Sequence, residues 1–106
     1  MSIKKLPPFH KVIMVELNGG LKRLRNNNPD IGDYTIYIGI IIGLLRSIEN
    51  SFIPEKEVKL LREKLANFHP QIVREVKKYD KTNAAVMAVD EACKEALKSL
   101  AARNLK

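Results

Sequence analysis

The stretch YTIYIGIIIGLLRSIEN, residues 34–50, decides the fold. Thr35, Ile36, Ile38, Ile40, Ile41 and Ile42 are β-branched and individually favour a strand. The apolar pattern nevertheless runs on through Leu44, Leu45 and Ile48 without a turn signal, and the rest of the chain offers little for a strand to pair with. We read the segment as a buried helix, with a glycine-rich strand as the alternative. Asp33 stands at the N-cap position of a helix beginning near Tyr34. The most apolar window, Ile36 to Leu45, falls short of the roughly 20 residues needed to cross a bilayer. It is expected to be a core element, and no stable membrane insertion is expected.

The segments on either side read as helices. Phe9, Ile13, Leu17, Leu21 and Leu24 recur at spacings of four, four, four and three, one helical face behind Pro8. Gly19 and Gly20 together lower helix preference by about 2 kcal/mol, so a bend or close packing is expected there. Asn26 to Asp30 form the firmest loop signal, because asparagines tolerate turn geometry and Pro29 lacks a backbone donor. Pro54, Glu55 and Glu57 mark another helix start, with Val58, Leu61, Leu65 and Phe68 on its inner face. Pro70 is expected to break or kink that helix, leaving Ile72, Val76 and Tyr79 on a separate short segment. Asp80 to Asn83 read as a turn. Val86, Val89, Cys93, Ala96 and Leu100 then form a coiled-coil-like seam.

With 106 residues, 45% of them hydrophobic and 29% charged, the chain suits one globular domain spanning 1–106, frayed at 1–7 and 102–106. The expected class is all-α, a small antiparallel helical bundle of four to five helices. Met1 to Lys5 with the interrupted stretch behind it make a poor secretory signal. Cys93 is the single cysteine, which excludes an internal disulfide and a cysteine-based metal cluster, so a cytoplasmic location is expected.

Side chains with chemical potential are sparse. His10 and His69 lie far apart without metal-ligand spacing, and Cys93 sits within an apolar seam. The pairs Glu55/Glu57 and Asp90/Glu91 read as solvated helix faces, with Asp90 and Lys94 at pairing distance along a helix. No phosphate-cradling glycine loop or nucleophile elbow occurs, so no cofactor, metal or enzymatic activity is expected. An enzyme built on His10, His69 or Cys93 is a minor reading.

Nineteen basic against 12 acidic residues leave a net charge of +7, of which +4 lies in residues 1–30. Such an excess favours an acidic partner. Lys22, Arg23 and Arg25 form the densest group, and Arg74, Lys77, Lys78 and Lys81 a second that could join it in space. Both are candidate contacts to phosphates or to an acidic protein, against the plainer reading that they are solvated or offset a helix C-terminus. Gly39 and Gly43 form a Gly-x-x-x-Gly spacing. That spacing is expected to admit a neighbouring helix within the bundle, with a homodimer contact as the alternative. The leading expectation is thus a non-enzymatic interaction or regulatory protein whose partner is another protein. A small basic nucleic-acid-binding protein is the alternative.

Overall fold

The computed structural model describes residues 8–26, 31–79 and 83–103, with residues 31–33 as backbone alone. Its elements are all helices: α1 (Phe9–Asn26), α2 (Ile31–Asn50), α3 (Glu55–Lys77) and α4 (Ala84–Arg103). The ambiguous segment is a helix because its buried residues Ile38, Ile41, Leu45 and Ile48 recur at three, four and three, a period no strand can place on one face. Burying that stripe outweighs the few tenths of a kcal/mol by which each β-branched residue disfavours a helix. The glycine-rich strand is therefore overturned. The helix also starts at Ile31, so Asp33 lies inside its first turn and not ahead of it.

Among the described residues there are four helices and not five, because α3 passes through Pro70 without interruption. Pro70 and Ala66, whose carbonyl loses its partner to the missing N–H, are both exposed, where a carbonyl is open to solvent. Ile72 and Val76 consequently continue the inner face of Val58, Leu61, Leu65 and Phe68 as one stripe. Asn26, the first residue of the loop expected at 26–30, is inside α1, and the rest of that stretch, like Asp80 to Thr82, lies outside the described residues. Asn83 adopts a left-handed φ of 64° and its carbonyl accepts from the Met87 N–H, starting α4. Ala102 and Arg103, expected to fray, are inside α4.

α1 packs on α2 and α3, and α4 packs on the same two, so the consecutive pair α2 and α3 is not among the principal contacts. Along the α1–α3 pair, His10 meets Glu57 near both N-terminal ends and Arg25 meets Gln71 toward both C-terminal ends. The two helices therefore run side by side in the same sense. This arrangement is what carries a polar stripe of one alongside a polar stripe of the other. At the opposite corner the Arg103 guanidinium donates to the carbonyls of Ile48, Glu49 and Ser51, satisfying acceptors that the end of α2 leaves open. No helix among the described residues is long and apolar enough to cross a membrane.

Candidate functional site

The inner stripe of α1, Ile13, Leu17, Leu21 and Leu24, is buried, and Met14 and His10 are buried beside it. One step round the helix lies a polar stripe, Lys11, Asn18, Lys22 and Arg25, at spacings of seven, four and three. α3 and the Lys78 that caps it carry the counterpart, Lys64, Asn67, Gln71, Arg74 and Lys78, at three, four, three and four. Where the two helices lie together these stripes become the rims of an open recess of about 470 Å³. Lys11, Asn18, Lys22 and Lys64 line it, over a floor that includes Met14. A contiguous recess shares Met14, Asn18 and Lys64 and extends to Asn67 and Gln71.

Each end of the groove is fastened by a polar contact between α1 and α3. At one end both the backbone N–H and the Nδ1 of His10 lie on Glu57 Oε1, at 3.1 and 3.0 Å. The backbone donor, followed by the imidazole, holds the Glu57 carboxyl below the ordinary glutamate range. At the other end Glu75, 4% exposed, holds its carboxylate between Arg25 Nε at 3.6 Å and Lys78 Nζ at 3.3 Å. Arg25 also donates to Gln71 Oε1, and the Tyr79 hydroxyl donates to the Leu24 carbonyl. A buried carboxylate without these cations would be strongly unfavourable, so Glu75 draws the C-terminal ends of α1 and α3 together.

The two basic groups expected from the sequence thus join in part. Lys22 and Arg25 reach the groove, Lys78 meets Arg25 through Glu75, and exposed Arg74 lies on the register of Gln71 and Lys78. Arg23 turns the other way, with its guanidinium carbon 6.0 Å from the centre of the Tyr37 ring on α2. Lys77 is exposed and off that register, and Lys81 lies outside the described residues. Lys11, Lys64 and the three amides were not singled out in the sequence, although both stripes stand there at helical spacing. Only the pairing of α1 with α3 makes them one surface.

The glycine expectation is corrected. Gly39 and Gly43 are exposed, and a Cβ at either would meet nothing within 4 Å, so they admit no helix of this bundle. Their face carries Ile36 and Ile40 in the open. Close approach occurs instead at Gly20, where a Cβ would stand 2.9 Å from Ile41 Cγ1. The close packing expected at Gly19 and Gly20 is therefore found at Gly20 alone.

The remaining candidate groups are engaged structurally. His69 Nε2 lies 2.6 Å from Asp90 Oδ1, and Lys94 Nζ 2.9 Å from Asp90 Oδ2, joining α3 to α4. The Lys94 ammonium, then His69, hold the Asp90 carboxyl below its ordinary range. The Asp90–Lys94 pairing follows the helical spacing, whereas the contacts of Asp90 with His69 and of Glu57 with His10 go beyond the solvated faces expected. Cys93 is buried, and burial with the nearby Asp90 pushes its thiol up to about 12, far from a nucleophile's range. No cluster of metal-ligating side chains occurs among the described residues. Comparison with models of known protein families, with characterised proteins and with solved structures finds no match to this chain.

Proposed function

We propose that this chain is a non-enzymatic helical binding module that takes an acidic macromolecular partner along the α1/α3 groove. One observation carries the reading. Lys11, Lys22 and Lys64 line a single recess, and none of the three is in an ion pair among the described residues. Unpaired like charges gathered in one concavity raise the local potential and attract an opposite charge, which scattered or paired lysines do not. Spent histidines and an unreactive thiol support the non-enzymatic part. A cytoplasmic location accords with a thiol that needs no disulfide partner.

A second reading, a protein partner held by apolar contact, rests on Phe52. Its side chain is 89% exposed at the rim of a recess that Ile53, Val58 and Arg103 help to line. Exposed aromatics beside pockets are common binding anchors. A homodimer through Ile36, Gly39, Ile40 and Gly43 belongs to the same reading.

The groove reading is tested by titrating the protein against duplex DNA, duplex RNA, polyglutamate and anionic vesicles at low salt. A triple variant, Lys11→Gln with Lys22→Gln and Lys64→Gln, is compared with a charge-matched one, Arg46→Gln with Lys59→Gln and Lys98→Gln. The groove triple should weaken binding at least about tenfold and the control triple far less. Equal losses would show attraction by net charge alone and reject the groove. Absence of binding to every polyanion would reject the acidic partner and leave the Phe52 surface as the better reading.

A further inference from the structure

We infer that the partner of the α1/α3 groove is duplex DNA, held through its phosphate backbone without base readout. The inference rests on the binding reading above and adds the class of partner.

The first argument is length and repetition. α1 and α3 run in the same sense, so their polar stripes stay alongside one another over several turns. Lys11 and Lys22 are eleven residues apart, about 16 Å along a helix at 1.5 Å per residue. A duplex carries, in projection on its axis, a charge about every 1.7 Å, on a backbone already held in a regular array. An acidic peptide would have to fix several flexible carboxylates at those positions, at an entropic cost for each.

The second argument is the neutral chemistry between the cations. Asn18 and Asn67 line the recesses, and the Gln71 amide is oriented by Arg25 and by the Asn67 carbonyl. Amides beside lysines are the usual donors to phosphate and sugar oxygens, and no acidic side chain lines either recess.

The third argument selects duplex over single strand, and DNA over RNA. No aromatic residue other than Phe68, which is 1% exposed, lines these recesses, so unpaired bases have no stacking platform. A recess accepts a phosphate ridge but cannot enter a groove to reach base edges, which makes the binding indifferent to sequence. Duplex RNA is told from DNA by contacts to its 2′-hydroxyls across the minor groove, which a site that grips phosphates alone need not make.

The test is fluorescence anisotropy with short labelled probes of equal length: mixed-sequence duplex DNA, duplex RNA, single-stranded DNA and polyglutamate, each across roughly 50 to 200 mM salt. With about three phosphates neutralised, duplex DNA affinity should fall about 40-fold over that range. Each single lysine-to-glutamine change at 11, 22 or 64 should lower the log–log salt slope by about one. Two unrelated duplex sequences should bind alike. Tighter, groove-dependent binding of polyglutamate, RNA or single strands would overturn the DNA assignment while leaving the groove reading in place. Loss of DNA binding to the same extent in the Arg46, Lys59 and Lys98 control would overturn both.

Discussion

Against α2, helix α1 closes on a glycine; against α3, its packed contact is bordered by long polar side chains that leave an open recess. At the first seam Gly20 is buried so close to Ile41 that a Cβ would stand 2.9 Å from Ile41 Cγ1. At the second, Lys11, Asn18 and Lys22 stand opposite Lys64, Asn67 and Gln71, and the space between them stays open. The same helix thus makes a wall of the core on one side and a rim of the candidate site on the other. What separates the two is the size and polarity of residues only one position apart round the helix. Gly19, beside Gly20 in sequence, has open space where its Cβ would be and belongs to the groove side.

The strongest way to break this contrast is to fill the closed seam. Gly20→Leu would drive a side chain into the volume of Ile41 and should destabilise the fold by about 3 kcal/mol, read as a lower urea midpoint. An unchanged midpoint would mean that the α1–α2 seam is looser than described.

Glycines that close nothing should behave oppositely. Replacing Gly39 and Gly43 by alanine adds helix preference in open space and should raise stability by about 1 to 2 kcal/mol in the same titration. Sedimentation of that variant sharpens the point, because a loss of self-association would identify the Ile36 and Ile40 face as a homodimer contact.

At the open seam, Arg25→Ala removes one of the two cations on Glu75. Arg25 is about half exposed and Lys78 remains, so a loss of about 1 kcal/mol is expected, well below that of a fully buried pair. A loss above that of Gly20→Leu would show that the groove's end, and not the glycine contact, governs how α1 is held.

The smallest expected effect is on pH dependence. Glu57 has its carboxyl lowered by His10 in the folded state, so its stabilising contribution is present above the ordinary glutamate pKa of 4.5 and is lost as pH falls through the lower folded value. Stability measured from neutral pH downward should therefore drop more steeply below about pH 4.5 in the parent than in Glu57→Gln. Identical acid limbs would show that the pair contributes nothing.

The apolar spacings were readable in the sequence. Ile13, Leu17, Leu21 and Leu24 on α1, Leu61, Leu65 and Phe68 on α3, and Val89, Cys93, Ala96 and Leu100 on α4 are buried as their spacing predicts. The lysine clusters were legible as charge, yet most of the polar lining of the candidate groove was not. Lys64 and Asn67 look like ordinary solvated positions until α1 is laid beside them. Pro70 misled because its local penalty is real, but the position faces water, and nothing in the neighbouring residues states that.

By itself, then, the sequence determined that each helical segment has one face to bury, because that requirement depends only on residues three and four apart along a helix, although it divided α3 in two at Pro70. Tertiary structure alone decided which helices lie together, that Gly20 and not Gly39 or Gly43 meets a neighbour, and that two polar stripes become one basic groove. Those outcomes depend on the combined packing of all four helices, with Glu57 and Glu75 setting the register of α1 on α3, and no local spacing encodes a sum over distant pairs.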